Sequence, residues 1–205
     1  MELKQAIAEI RKAEKRKFDQ SIDLAINLKG IDIKKDNIAT VITIPHKVKD
    51  KTVCAFLTKK SSLVKSVVHE EFSKYKDKDE LKKLVKNYDF FIAAGKLMPA
   101  VATTFGKSLG PIGKMPSPQL GILMKEDDDA IKGVLSKVNT AVKIRIKEPS
   151  VKVSVGKESM SDAVLMENIK AIYDGLIAVL PIKKDNVKSV LVKSTMGKPI
   201  KVEMK

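Results

Sequence analysis

The sequence predicts an α/β (α+β) fold of two domains: a discontinuous domain that joins both chain ends through an antiparallel sheet, and an inserted domain of the β-α-β kind. Three observations predict it. Both ends combine helical spacing of apolar residues with strict alternation. The middle instead carries continuous apolar runs between helical segments. At 205 residues the chain also exceeds the roughly 100–150 of a typical single domain.

In chain order, Leu3, Ile7 and Ile10 recur at helical spacing among Lys, Arg and Glu, so the chain opens with an amphipathic helix. Ile22, Leu24, Ile26 and Leu28 then alternate, which predicts a strand with one buried face. Gly30 and the Lys-Lys-Asp-Asn cluster break it, and ATVITIP, Ala39 to Pro45, is the next strand, ending at proline. From Thr52 the run TVCAFL lacks alternation, as a strand covered on both faces does; helical segments follow, then the strand YDFFIAA at Tyr88 to Ala94. The acidic run Glu126-Asp127-Asp128-Asp129 precedes Ile131, Val134, Leu135 and Val138. Carboxylates in a first turn favour the helix dipole, so the run reads as a helix start and not as a metal site. Alternation returns in AVKIRIKEPSVKVSV, and a helix from about Asp162 carries Leu165, Ile169, Ile172, Leu176 and Val179 and stops at Pro181. Val190 and Val192, then Ile200 and Val202, flank Ser194-Thr195-Met196-Gly197 as a hairpin, with Gly197 free to take a positive φ. The expected domains are 1–65 with 150–205, and 66–149, hinged near Ser66 and Pro149.

The chain carries 40 Lys and Arg against 25 Asp and Glu, a net +15 that draws it towards polyanions, nucleic acid first. Residues 1–65 and 150–205 hold a positive surplus of 11 and residues 66–149 one of 4, so a nucleic acid should meet the discontinuous domain first. A hydrophobic content of 43% with only 10 Gly and 8 Pro is a folded composition, not a disordered one. No apolar run reaches the roughly 18–20 residues of a membrane helix, and MELKQAIAEIRK has no signal-peptide core; a cytoplasmic protein without a membrane partner is expected. Cys54, in TVCAFL, reads as a buried thiol. With only His46 and His69 beside it, no zinc-ligand spacing can be assembled, and no metal or cofactor is expected.

Three stretches stand out. KRKFDQSIDLAINL sets Phe18 and Ser21 where a basic helix end, Lys15, Arg16 and Lys17, meets a strand. The ring either stacks on a base while the cations hold phosphates, or belongs to the core. KSTMGKPIKV is either an ordinary turn or an RNA contact, because short hydroxyls and a conformable Met suit ribose and base faces. FGKSLGPIGKMPSPQLG, Phe105 to Gly121, is a Gly- and Pro-rich loop that invites comparison with phosphate cradles. It lacks GxxxxGK[ST], since Met115 follows Lys114, and it lacks GxGxxG.

Taken together, in this order and over nearly the whole chain, these stretches resemble the L-one family of large-subunit ribosomal stalk proteins, in its archaeal type. FGKSLGPIGKMPSP is similar to the family's signature loop, KFDQSIDLAINL to its first strand, and VSVGKESM with KSTMG to its RNA-binding segments. The resemblance implies a split α+β domain and an inserted Rossmann-like three-layer β-α-β domain that binds no dinucleotide. It implies a non-catalytic protein without cofactor, monomeric when free and part of the large ribosomal subunit. Such a protein binds large-subunit rRNA near the stalk tip, where stalk movement accompanies release of deacylated exit-site tRNA, and in many members it represses its own mRNA. Carried over by position, the RNA-contacting pattern falls on Lys17, Phe18, Ser21, Ser189, Thr195, Met196 and Gly197, with Lys152 a weaker candidate. Lysines would then supply affinity, while Met196 packs dry on ribose or base and Ser21, Ser189 and Thr195 offer hydroxyls. The chain departs from the family pattern at Lys198, where many members have proline, and at Ile112, a position often basic.

Two rival functions compete with this reading. A nucleic-acid enzyme needs a carboxylate cluster, a metal site or an activated nucleophile, and the acids here are scattered. A basic accessory protein would bind nucleic acid without sequence preference, on charge alone.

Overall fold

The computed structural model describes residues 1–12, 17–31, 38–118, 120–124, 126–146 and 148–204, apart from the side chains of Lys76 and Lys78. In chain order the elements begin with α1 (Leu3–Lys12), β1 (Ser21–Leu28), β2 (Ala39–Thr43), β3 (Val53–Leu57), β4 (Lys65–Val68), α2 (Lys78–Asn87), β5 (Phe90–Ala94) and α3 (Met98–Ile112). They continue with β6 (Ile122–Leu123), α4 (Asp128–Thr140), β7 (Ala141–Arg145), β8 (Ser150–Lys157), α5 (Asp162–Val179), β9 (Val187–Ser194) and β10 (Ile200–Val202). The chain is mixed α/β with antiparallel and parallel sheets, as expected, and divides into two compact units, Met1–Lys49 with Thr140–Lys205 and Asp50–Asn139.

In the first unit β1 pairs antiparallel with β9 on one side and β8 on the other, and β10 extends the sheet beyond β9. Alternation in β1 sends Ile22, Leu24, Ile26 and Leu28 into the core with Leu3, Ile7 and Ile10 of α1 and Leu165, Ile169, Ile172 and Leu176 of α5. Ser21, Asp23, Ala25 and Asn27 therefore take the other face. A second, two-stranded sheet joins β2 to β7, from Ala39↔Arg145 to Thr43↔Ala141. Its Ile42 lies so close to α5 that a Cβ on Gly175 would stand 2.7 Å from Ile42 Cγ2.

One buried amide locks these parts together. Asn168 of α5, fully buried, donates through Nδ2 to the carbonyls of His46 (3.1 Å) and Val155 (2.9 Å), and its Oδ1 accepts from the His46 N–H at 3.1 Å. The helix, β8 and the segment after β2 are thus joined by a side chain whose donors and acceptor are matched.

The second unit is a parallel sheet in the order β4-β3-β5-β6. Cys54 and Phe56 of β3 face an aromatic cluster of Phe72, Phe91 and Phe105, over which α2 and α3 lie. Val53, Ala55 and Leu57 face Leu123 and the α4 residues Ile131 and Val138. Every residue of β3 is buried because both faces are covered, which is why TVCAFL does not alternate.

Two expectations need correction. The boundaries lie at Lys49/Asp50 and Asn139/Thr140, not at 65/66 and 149/150, because β3 pairs only with strands of the second unit while β7 pairs with β2 in the first. Ser66 sits inside β4, and the Pro149 carbonyl accepts the Leu28 N–H at 2.9 Å, so neither is a hinge. The stretch Phe105 to Gly121 is not loop throughout: it is helical as far as Ile112, because Val101, Phe105 and Leu109 form a buried i, i+4 stripe that outweighs Gly106 and Gly110. Gly113, at φ 78°, ends that helix, donating to the Gly110 carbonyl at 3.0 Å.

Replacing Asn168 by Leu keeps the volume and strands the His46 and Val155 carbonyls and the His46 N–H. Each buried polar group left without a partner costs roughly 1–3 kcal/mol. Urea titration should therefore show a lowered midpoint with an unchanged slope and a loss of at least about 2 kcal/mol; a loss below half of that would mean the amide is not the lock described.

Candidate nucleic-acid interface

The start of β1 is where three segments of the first unit are tied together. Thr195 donates both its N–H and its hydroxyl to the Ser21 carbonyl, each at 3.0 Å, and the Gly197 N–H closes the turn on the Ser194 carbonyl at 3.0 Å. The Met196 N–H points at Gln20 Oε1, 3.4 Å away. From the opposite side the Asp19 carboxylate accepts the Ser159 N–H at 3.1 Å and its hydroxyl at 2.9 Å, while the Glu158 N–H donates to the Gln20 carbonyl at 2.8 Å. The Ser159 hydrogen bonds, against a smaller desolvation effect and with help from Lys157 at 3.7 Å, hold the Asp19 carboxyl below its usual range. Arg11 adds a brace, donating to Asp162 Oδ1 and to the carbonyls of Glu158 and Met160.

Beside these bonded residues stand two large apolar side chains in water, Phe18 at 55% and Met196 at 67% exposure. The core alternative for Phe18 is therefore excluded. Gly197 is favoured for a different reason than expected: the described glycines with positive φ are Gly30 and Gly113, whereas a Cβ on Gly197 would lie 2.2 Å from Ser194 Oγ as that hydroxyl is placed. Lys17 is exposed beside Phe18; Lys15 and Arg16 lie outside the described residues.

From this corner the face of the sheet turned away from α1 and α5 runs along β1 in rows fixed by register. Lys193, Asp23 and Ser154 form one row, Leu191, Ala25 and Lys152 the next, and Ser189, Asn27 and Ser150 a third. Asn27 Nδ2 donates to Ser189 Oγ at 3.0 Å, so the Ser189 hydroxyl keeps its proton for another acceptor. Thr195, having spent its proton on Ser21, can only accept. Lys152 is exposed and pairs loosely with Glu148 at 3.9 Å. Burial raises the Asp23 carboxyl above its ordinary 3.8, although Lys193 and the Ser154 hydroxyl pull the other way.

The predicted residues thus fall into two groups. Phe18, Ser21, Thr195, Met196 and Gly197 converge at one corner, while Lys152 and Ser189 lie farther along the face, Ser189 about 20 Å away at roughly 3.4 Å per residue of β1. Asp23, Asn27 and Lys193 share the face and were missed. Their signal was parity: each is two, four or six residues from Ser21 or Ser189 on its strand.

The signature lysine of the second unit has a structural task. Lys114 Nζ donates to the carbonyls of Val85 (2.7 Å) and Tyr88 (2.6 Å), at the end of α2. A crevice of about 480 Å³ opens at the carboxyl ends of β3 and β5, lined in part by Thr58, Lys59, Gly95 and Lys96. There Glu126 already takes the Thr58 N–H (2.8 Å) and hydroxyl (2.5 Å), donors that an anion would otherwise use. Burial pushes the Cys54 thiol up to about 12, leaving it protonated. Among the described residues no three His, Cys, Asp or Glu side chains are grouped to hold a metal ion, and no helix is long and apolar enough to cross a membrane.

Comparison with known proteins gives a single answer. The model of the ribosomal protein L1p/L10e family matches residues 10–198. The chain is 34% identical to the large ribosomal subunit protein uL1 of Pyrococcus horikoshii, with 94% of this chain and 90% of the relative aligned. The protein of the same name from Pyrobaculum aerophilum is also 34% identical, over 98% and 92%, and that of Nanoarchaeum equitans 30%, over 96% and 97%.

A raised carboxyl favours the folded state only while it is protonated: its contribution is complete below the unfolded value of 3.8 and lost as pH rises through the higher folded value. Asp23→Asn should therefore raise the urea midpoint at pH 7 and leave it unchanged at pH 3.5. A mutant less stable than wild type at pH 7 would show that Lys193 outweighs burial.

Proposed function

Because the chain belongs to the ribosomal protein L1p/L10e family, a structural and non-enzymatic family, we propose that it is a constituent of the large ribosomal subunit that binds the rRNA of the stalk through the polar sheet face of its first unit. The observation that carries this reading is the corner of β1. Two exposed apolar side chains, Phe18 and Met196, adjoin residues that hydrogen bonds hold in place, Asp19 bonded to Ser159 and Thr195 to Ser21, next to Lys17 and to one hydroxyl that accepts and, along the face, one that donates. Ribose 2′-hydroxyls both donate and accept, and unstacked bases present flat apolar faces, so the chemistry matches folded RNA better than a uniform phosphate ladder. Lysines 17, 152 and 193 supply the salt-dependent part of the affinity, and the neutral corner reads shape.

On this reading the protein acts in the cytoplasm as part of the ribosome, is monomeric when free, and moves with the stalk as deacylated tRNA leaves the exit site. A similar fold in its own messenger would occupy the same face and repress translation. The rival is a basic accessory protein that binds any nucleic acid; a net charge of +15 supports attraction of that kind.

Met196→Ala should cost on the order of 1–3 kcal/mol of affinity for a stalk-junction fragment, the range of a lost buried or stacking contact. The measurement is a salt series against an equally long unrelated hairpin as competitor. Preference for the junction that survives high salt in wild type and disappears in the mutant supports the ribosomal reading. Equal binding to both RNAs with no mutant effect leaves the accessory protein.

A further inference from the structure

The other end of β1, about 24 Å from Ser21 at roughly 3.4 Å per residue, carries a second exposed cluster that the stalk site does not use. There α5 ends at Val179, Leu180 is buried, and the segment to Asn186 turns the chain into β9. Asn186, 1% exposed, builds this turn: its Oδ1 accepts the Ile182 N–H at 2.7 Å, its Nδ2 donates to the Lys29 carbonyl at 3.0 Å, and its own carbonyl accepts the Lys29 N–H at 2.8 Å. The Lys183 and Asp185 N–H groups close on Leu180 and Ile182 at 3.2 and 3.1 Å.

A turn so fully bonded nevertheless presents Ile182 at 58% and Val179 at 41% exposure. It also holds Lys183 at φ 49°, the one non-glycine with positive φ among the described residues. Glycine would take that conformation without the crowding a Cβ brings, so the turn itself gives no reason for lysine. Around it stand Lys29, Lys184 and Lys188, all exposed, and none of these four lysines has a carboxylate partner among the described residues. Four unpaired cations beside two apolar side chains on a pre-built turn complement a polyanion with apolar surface close to its charges.

We infer that the turn Val179–Lys188, with Lys29, is a second RNA-contact surface, which grips the phosphate backbone of the same folded RNA beyond the part read by Phe18 and Met196. Continuity favours RNA over an acidic protein, because β9 leads directly from Lys188 to Ser189, whose row with Asn27 ends the polar face. The inference rests on the reading that this face binds folded RNA. It adds a length requirement: only an RNA that extends some 24 Å past the junction reaches both surfaces.

Cys54 is buried and its thiol protonated, so a cysteine introduced at Lys184 can be labelled selectively with an iron–EDTA tether. In complex with a long stalk fragment, Lys184→Cys should direct hydroxyl-radical cuts to nucleotides separate from those cut from Met196→Cys. Lys183→Gln with Lys184→Gln should weaken binding of the long fragment about five- to tenfold near 0.15 M salt and flatten the dependence of log affinity on log salt by about 2. Binding of a fragment trimmed to the junction should not change. Lys183→Gly separates charge from fold: it should be at least as heat-stable as wild type and still bind the long fragment more weakly. No cuts from position 184 and wild-type affinity of the double mutant for both fragments overturn the inference, and a persisting Met196→Ala defect then leaves the stalk reading intact. A wild type with no preference for the junction overturns both.

Discussion

The constraint on which the rest of the fold depends is the two-sided pairing of β1. Ile22 opposes Ser194 on one side and Gly156 on the other, so a strand near the beginning of the chain is completed only by strands near its end. Closing such long loops costs entropy that grows only with the logarithm of their length, about 0.6 kcal/mol per doubling. The chain can therefore carry the ninety residues from Asp50 to Asn139 between β2 and β7 at little expense, provided that the inserted segment supplies its own core. It does so with an aromatic cluster on one side of a parallel sheet and aliphatic packing on the other.

The same pairing explains why the proposed recognition face can be polar without being loose. Both edges of β1 are occupied, so its backbone groups are spent in the ladder and its outward side chains have fixed spacing. At the corner, where the ladder ends, Thr195 and Gln20 continue the hydrogen bonding through side chains, and Asp19 anchors the adjoining segment to Ser159. An apolar contact such as Met196 is worth most when little ordering remains to be done on binding, and this backbone leaves little. Gly197 belongs to that economy of space, since a Cβ there would meet Ser194 Oγ at 2.2 Å and oblige that hydroxyl to move.

What was legible in the sequence follows from how local each signal is. Alternation in residues 22–28 and its absence in TVCAFL report burial on one face or two, and both were readable because side-chain direction in a strand has period two. The unit boundaries were not readable, because whether Val53–Leu57 joins one sheet or the other is decided by partners such as Phe90–Ala93, not by its own residues. The helix through Ile112 was hidden by two glycines and a proline, whose local bias is overruled by burial of Phe105 and Leu109. The tasks of Lys114 and Asn168 were equally invisible: a lysine that caps another helix and an amide that joins three segments have no sequence neighbour that betrays them. On the candidate face, the resemblance names residues that converge at the exposed corner, whereas Asp23, Asn27 and Lys193 needed only the period of the strands that carry them.

Charge and shape are separated in this molecule by distance. The first unit holds 24 basic against 14 acidic residues and the second 16 against 11, so the attracting field is concentrated where the polar face lies. At physiological ionic strength charges screen one another beyond about 8 Å, while β1 is about 24 Å long. Lysines at its two ends therefore act as independent anchors and cannot by themselves orient a ligand along the sheet. On the proposed reading, orientation comes from groups that act only in contact: the ring and thioether at the corner, and the paired Asn27 and Ser189 farther along. A nucleic acid drawn in by the field is held in register only if its surface matches that spacing. Abundant positive charge thus remains compatible with selection of one folded RNA among many.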